Sequence, residues 1–236
     1  MKTSIEVIKT NCIAPDSSLE QRIYRLFSLT ADERFNLHYF RKTYEGCDQI
    51  DILLIKNEQG EDIGFGSYSY RKIKGKKNLY VARPAMGIDK SKRGSSFPTG
   101  LYSKLLIEFK LKHFLSEVIL LGITLNPLVY SGGCRYWKKL YPRPNLRYNS
   151  HMQGIRQLVI DTYNLNMISE NIVSLPYAPR LTEEDVARFD KAAKTNEYIQ
   201  EFMRLNPHYL NSEGLLTLIP VNLSNLWNGM LKMIKK

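Results

Sequence analysis

Between Glu117 and Leu125 the chain reads EVILLGITL, so apolar that a strand built from it must be covered on both faces. The run falls far short of the roughly 20 residues that span a bilayer. It is therefore a core strand. A sheet covered on both faces needs helices packed against it, which points to a layered α/β fold.

The flanking segments supply those layers. Ser4 to Lys9 has strand composition, and Asp16-Ser17-Ser18 opens a helix carrying Ile23, Leu26 and Phe27 at helical spacing. Ala31 to Thr43 reads as a second helix with Phe35, Tyr39 and Phe40 on its apolar side. Ile50–Ile55 and Ile63–Tyr70 form a hairpin around Asn57-Glu58-Gln59-Gly60, and a basic turn from Arg71 to Lys77 follows. Leu79 to Ile88 reads as a strand interrupted by Pro84. Asp89 to Pro98 is a loop, and Thr99 to His113 a helix with Tyr102, Leu105, Leu106 and Phe109 inward.

After the core strand, Asn126-Pro127 is a break. A short helix, broken or delayed by Gly132-Gly133, is expected to reach Tyr141 before Pro142 and Pro144 stop it. Leu158 to Tyr163 reads as a strand. Thr182-Glu183-Glu184-Asp185 starts a helix, Glu197 to Leu205 forms another, and Leu215–Val221 and Leu223–Ile234 close the chain as strand and helix. The helical pair, residues 181–205, reads as an insertion between two strands of a single domain, residues 1–236.

Charge narrows the partners. Lys and Arg number 34 against 23 Asp and Glu, a net +11, which favours nucleic acid, phosphorylated cofactors or an anionic membrane face. Cys12, Cys47 and Cys134 lack paired spacing, so neither a disulfide framework nor a zinc site is expected. His38, His113, His151 and His208 lack metal-ligand spacing, and His151 reads as a surface residue in a loop. No apolar run follows Lys2, so no signal peptide is expected and the chain reads as cytoplasmic. No G-x-S-x-G elbow is present, and Cys134 stands without a supporting motif, which leaves little for a nucleophilic hydrolase.

The segment richest in chemistry is strand, basic glycine-containing loop, helix. The loop holds Lys90-Ser91-Lys92-Arg93-Gly94-Ser95-Ser96, and the helix start behind it exposes unpaired N–H groups and a positive dipole end. Gly94 permits close backbone approach, Ser95 and Ser96 add hydroxyls, and Lys92 and Arg93 add charge. Together they suit a pyrophosphate. A solvated serine-rich connector has the same composition.

This order of elements resembles the GNAT-type N-acetyltransferase superfamily: strand, two helices, a three-strand meander, helix, strand, helix, two further strands. The resemblance implies a mixed, mostly antiparallel central sheet flanked by helices, here with a helical insert near the C-terminus. In that family an Arg/Gln-x-x-Gly-x-Gly/Ala loop after the fourth strand binds the pyrophosphate of acetyl-CoA. Lys90 or Ser91 would stand first in it, with Gly94 as a glycine and Ser96 as the last small residue. The family's Asn and Tyr-x-x-x-Gly-Phe after the fifth strand correspond to Asn126 and to Tyr136 with Leu140-Tyr141. Tyr130 lies closer to Asn126 and rivals Tyr136.

The resemblance thus implies acetyl-CoA or another acyl-CoA as donor, held by Lys92, Arg93, Gly94, Ser95, Ser96 and Asn126. Its pantetheine arm would lie along the strand edge that carries Met86 and Ile88. An acceptor amine would attack the thioester directly, a backbone N–H of the fourth strand would stabilise the oxyanion, and Tyr136 or Tyr130 would protonate the departing sulfur. The acceptor is open: an amine on nucleic acid such as charged tRNA, or on another anionic molecule. The alternative is a non-catalytic GNAT-like module that binds nucleic acid or a protein, with the cationic and aromatic run Arg135–Tyr141 stacking on bases.

Overall fold

Asp51 stands opposite Lys9 on one side and Tyr68 on the other, and the register of the first sheet follows from that row. A computed structural model describes residues 3–76, 78–89, 98–146, 148–179 and 181–234. It divides into two compact units, 1–116 and 117–236.

In the first unit β1 (Ser4–Thr10), β2 (Gln49–Lys56), β3 (Asp62–Lys72) and β4 (Leu79–Ile88) form consecutive antiparallel ladders. The β2–β3 turn depends on Gly60, whose φ of 81° favours glycine. Helix α3 (Thr99–Lys112) lies on one face of this sheet. Phe109 stacks on Tyr70 at 3.6 Å and Tyr102 on Tyr68 at 4.3 Å, and the Tyr102 hydroxyl donates to the Ser67 carbonyl at 2.9 Å. Helix α1 (Ser18–Ser28) approaches β4 closely, because a side chain at Gly87 would meet the Leu26 carbonyl at 2.9 Å.

Helix α2 (Leu37–Tyr44) starts later than its composition suggests. Asp32 accepts from the Arg34 N–H, holding 32–35 in a turn, and Asn36 supplies the cap by accepting from the Tyr39 N–H. Glu20 ties α1 to α2. It is buried, receives Arg41 through both carboxylate oxygens at 2.7 and 2.8 Å, and also accepts the Asp16 N–H.

The second unit holds β5 (Glu117–Thr124), α4 (Pro127–Tyr136), α5 (Ser150–Tyr163), β6 (Ile172–Ser174), α6 (Glu183–Ala193), α7 (Glu197–Leu205), β7 (Glu213–Pro220) and α8 (Leu223–Ile234). Strand β7 is central, antiparallel to β5 on one edge and to β6 on the other. Tyr141 extends the β6 edge through a bridge to Leu218. Helices α6 and α7 fall between β6 and β7. Thr182 and Asp185 close a capping box at the start of α6.

Three expectations are corrected in this unit. Leu158–Tyr163 is helical: Asn149 caps α5, and Met152, Ile155 and Val159 bury one helical face, so the aliphatic run LVI is a helix interior. The strand expected there is the short β6. Helix α4 begins at Pro127, which suits a first helical position, and it passes through both glycines to end at Tyr136, short of Tyr141. His151 is exposed, as expected, but lies in the first turn of α5 rather than in a loop, and it pairs with Glu117 at 3.0 Å. Among the described residues no helix is long and apolar enough to cross a membrane.

The Arg41 guanidinium holds the Glu20 carboxyl below its ordinary value of 4.5. A depressed carboxylate stabilises the fold fully above its unfolded value and loses that contribution as pH falls through the folded one. Urea midpoints of wild type and Glu20→Gln should therefore differ most near neutrality and converge as pH drops below about 4.5. A constant gap down to pH 3 would contradict the assignment.

Candidate functional site

The chemistry-bearing residues of the sequence fall on two helix starts and one helix end. Helix α4 is entered through Asn126, whose Oδ1 accepts the Leu128 N–H at 2.8 Å. Asn126 is thus a helix cap, whatever further role it has. The helix then packs on α7. The Tyr130 and Phe202 rings lie 5.7 Å apart, and Ser131 exchanges hydrogen bonds with Asn196, the residue that caps α7.

The two tyrosine candidates separate on burial. Tyr130 is 1% exposed, and its hydroxyl donates to the Pro142 carbonyl at 2.9 Å. Burial raises its pKa far above the usual tyrosine range. Tyr136 is the last residue of α4 and is only partly buried. Two residues before it, Cys134 is buried and its thiol is pushed up to about 11, which leaves no reactive thiolate at neutral pH.

The end of α4 is held by α8, which the sequence reading did not connect to it. Asn228 donates to the Tyr136 carbonyl at 2.7 Å, and Lys232 donates to the Arg135 carbonyl. Both satisfy carbonyls that the helix leaves unpaired, and the lysine adds charge at the negative end of the dipole. One turn earlier, Asn225 is fully buried. Its Oδ1 accepts the Lys139 N–H, and its Nδ2 donates to the carbonyls of Lys139 and Pro220. Asn225, Asn228 and Lys232 share one helical face, a polar stripe of i, i+3, i+7 spacing that was available as a signal.

The run Arg135–Tyr141 is consequently not one amphipathic helix. Leu140 folds back over Gly133, where a side chain would lie 2.9 Å from it. Leu140 and Tyr141 are buried, Lys138 and Lys139 are exposed, and Arg143 holds the Trp137 and Lys138 carbonyls.

The other helix start is that of α3. Side chains cap α1, α2, α4, α5, α6 and α7, whereas Pro98 offers α3 no side-chain bond and its first turn carries no acid. Of the preceding loop, Lys92, Arg93, Gly94, Ser95 and Ser96 lie outside the described residues. On β4, Met86 is half exposed and pairs with Gly66, and Ile88 pairs with Gly64.

Comparisons with known proteins find remote structural likenesses alone. No protein-family model matches the sequence, and no curated protein matches it. Among solved structures, the NatC complex bound to Gag peptide and CoA is similar at 8% identity and a TM-score of 0.39, covering 92% of this chain and 99% of that one. NAA60 of Arabidopsis thaliana in complex with acetyl-CoA gives 12% identity and 0.39, over 93% and 99%. A GNAT family N-acetyltransferase from Escherichia coli in complex with CoA gives 22% and 0.33, over 55% and 66%. Superpositions this loose carry no argument about chemistry.

Replacing Asn225 by Leu leaves three backbone groups without their partner, a loss of about 3 kcal/mol. Tyr130→Phe, which strips one donor from a carbonyl, should cost about 1 kcal/mol. Denaturant unfolding of the two variants checks this order. An unchanged Asn225→Leu would contradict the clamp. From β1 through α4 the elements follow the order expected from the sequence.

Proposed function

We propose that the protein is an acyl-CoA-dependent acyltransferase, most simply an N-acetyltransferase. What carries the reading is the first turn of α3: a fourteen-residue helix that, among the described residues, has no side-chain cap and no acid at its start, directly behind a loop rich in Lys, Arg, Gly and Ser. The backbone N–H groups of a helix start and its positive dipole end suit an anion. An acid or a capping carboxylate there would compete with it.

Acyl-CoA supplies an activated thioester when bound. The residues of the chain bind and orient it. Lys92, Arg93 and Gly94 and the α3 N–H groups hold its phosphates, with Ser95 and Ser96 as hydroxyl donors. The edge of β4 near Met86 and Ile88 offers backbone groups to the pantetheine amides. As the acceptor nitrogen bonds to the acyl carbon, the C–S bond breaks. The sulfur takes a proton, and the ammonium loses one to water. Tyr136 is the proton donor we favour over Tyr130, because Tyr136 is only partly buried whereas Tyr130 is 1% exposed. The acceptor is an amine on an anionic molecule, in keeping with the net +11 charge.

Thiol release from acetyl-CoA, followed with a thiol reagent, tests the reading across short peptides, a polyamine and aminoacyl-tRNA. Wild type should release CoA faster with an accepting amine. Tyr136→Phe should lower kcat by about a hundredfold with KM for acetyl-CoA changed less than about twofold. Full kcat in Tyr136→Phe would remove Tyr136 from the proton transfer.

A further inference from the structure

The C-terminal end of α3 is built unlike any other helix end of the first unit. Its last turn and the residues after it expose Leu111 (64%), Phe114 (69%) and Leu115 (78%), three large apolar side chains within five positions. None of them is needed to end the helix. His113 donates its backbone N–H to the Phe109 carbonyl, and Lys110 reaches forward to the carbonyls of Phe114 and Ser116. The backbone is thereby held in a turn that presents Phe114 and Leu115 outward.

The same end of the unit is cationic. The His113 ring packs against Tyr80 at 4.7 Å, and Lys72 lies over the other side of this contact with its ammonium 6.0 Å from the Tyr80 ring. The β3–β4 turn that starts at Lys72 adds Lys74 and Lys76, both exposed, and α3 adds the exposed Lys112. Burial first, and then the charges of Lys112 and Lys72, hold His113 below the usual histidine range. The acids at this end are Asp48, one of whose oxygens accepts the Lys72 N–H, and Glu108, which pairs with Lys9 at 2.8 Å.

We propose that this end of the first unit, which carries Leu111, Phe114 and Leu115 together with Lys72, Lys74, Lys76 and Lys112, docks onto the surface of an anionic lipid membrane. Exposed apolar side chains together with lysines match an interface whose headgroups are negative and whose interior lies a few ångströms deeper. A nucleic acid offers phosphates to the lysines but nothing to Leu111 and Leu115, which neither stack nor hydrogen-bond. The protein would lie on the membrane, not span it.

Sedimentation of the full chain with vesicles tests the proposal, using phosphatidylcholine alone and phosphatidylcholine with 30% phosphatidylserine by design, about a third anionic lipid. Wild type should bind the anionic vesicles and lose that binding with added salt. Phe114→Ser with Leu115→Ser keeps every charge and removes apolar contact at exposed positions, so folding is unaffected. It should weaken vesicle binding about tenfold or more. Lys72→Glu, Lys74→Glu and Lys76→Glu together should abolish it. A single-stranded oligonucleotide is titrated in parallel. No binding of wild type to anionic vesicles would overturn the proposal. So would vesicle binding unchanged in the serine variant, or an oligonucleotide that binds through the lysines while vesicles do not.

Discussion

Asn225 is the point on which the second unit turns. One buried side chain accepts an N–H and donates to two carbonyls, from Lys139 and Pro220. It thereby joins the segment after α4, the end of β7 and the start of α8. A buried amide that satisfies three backbone groups has no tolerant substitute, since any apolar replacement leaves all three unpaired in a dry site. Asn228 and Lys232 extend the same face onto the last carbonyls of α4. The position of Tyr136 therefore depends on the terminal helix, nearly a hundred residues later in the chain. From the other side α4 is held by α7, through Tyr130, Ser131 and Asn196.

The first unit rests on a different physical device. Its sheet face under α3 is made of tyrosines, with Tyr68 and Tyr70 stacked on Tyr102 and Phe109. Buried phenols need acceptors, and Tyr102 finds one in the Ser67 carbonyl. Burial raises the pKa of Tyr68 and Tyr102, so both stay neutral in the core. Packing and hydrogen bonding thus fix α3 over the sheet, and with it the orientation of the uncapped helix start.

Local patterns made the first unit legible. The strand Leu79–Ile88 and the inward face Tyr102, Leu105, Leu106 and Phe109 are where periodicity and turn chemistry put them. Helix α2 was misjudged at its start because an Asp32 turn competes with helix over 32–35, a side-chain effect that apolar spacing does not register. In the second unit the run LVI of Leu158–Ile160 has strand composition, yet the spacing of Met152, Ile155 and Val159 decides for helix. A three-residue strand such as β6 carries too few alternations to be seen. In the candidate site, Asn126 and the two tyrosines were visible as residue types. The choice between Tyr130 and Tyr136 was not, since it depends on the burial of Tyr130, which only the fold decides. The α8 clamp is likewise a tertiary pairing.

Calorimetric titration of the full chain with acetyl-CoA bears most directly on the account, because every proposed role presupposes that the phosphates are held. The account predicts one acetyl-CoA per chain with a Kd of about 1–100 μM, weakened at least tenfold by Arg93→Ala. Absence of binding at millimolar acetyl-CoA, or an affinity indifferent to Arg93, would contradict it.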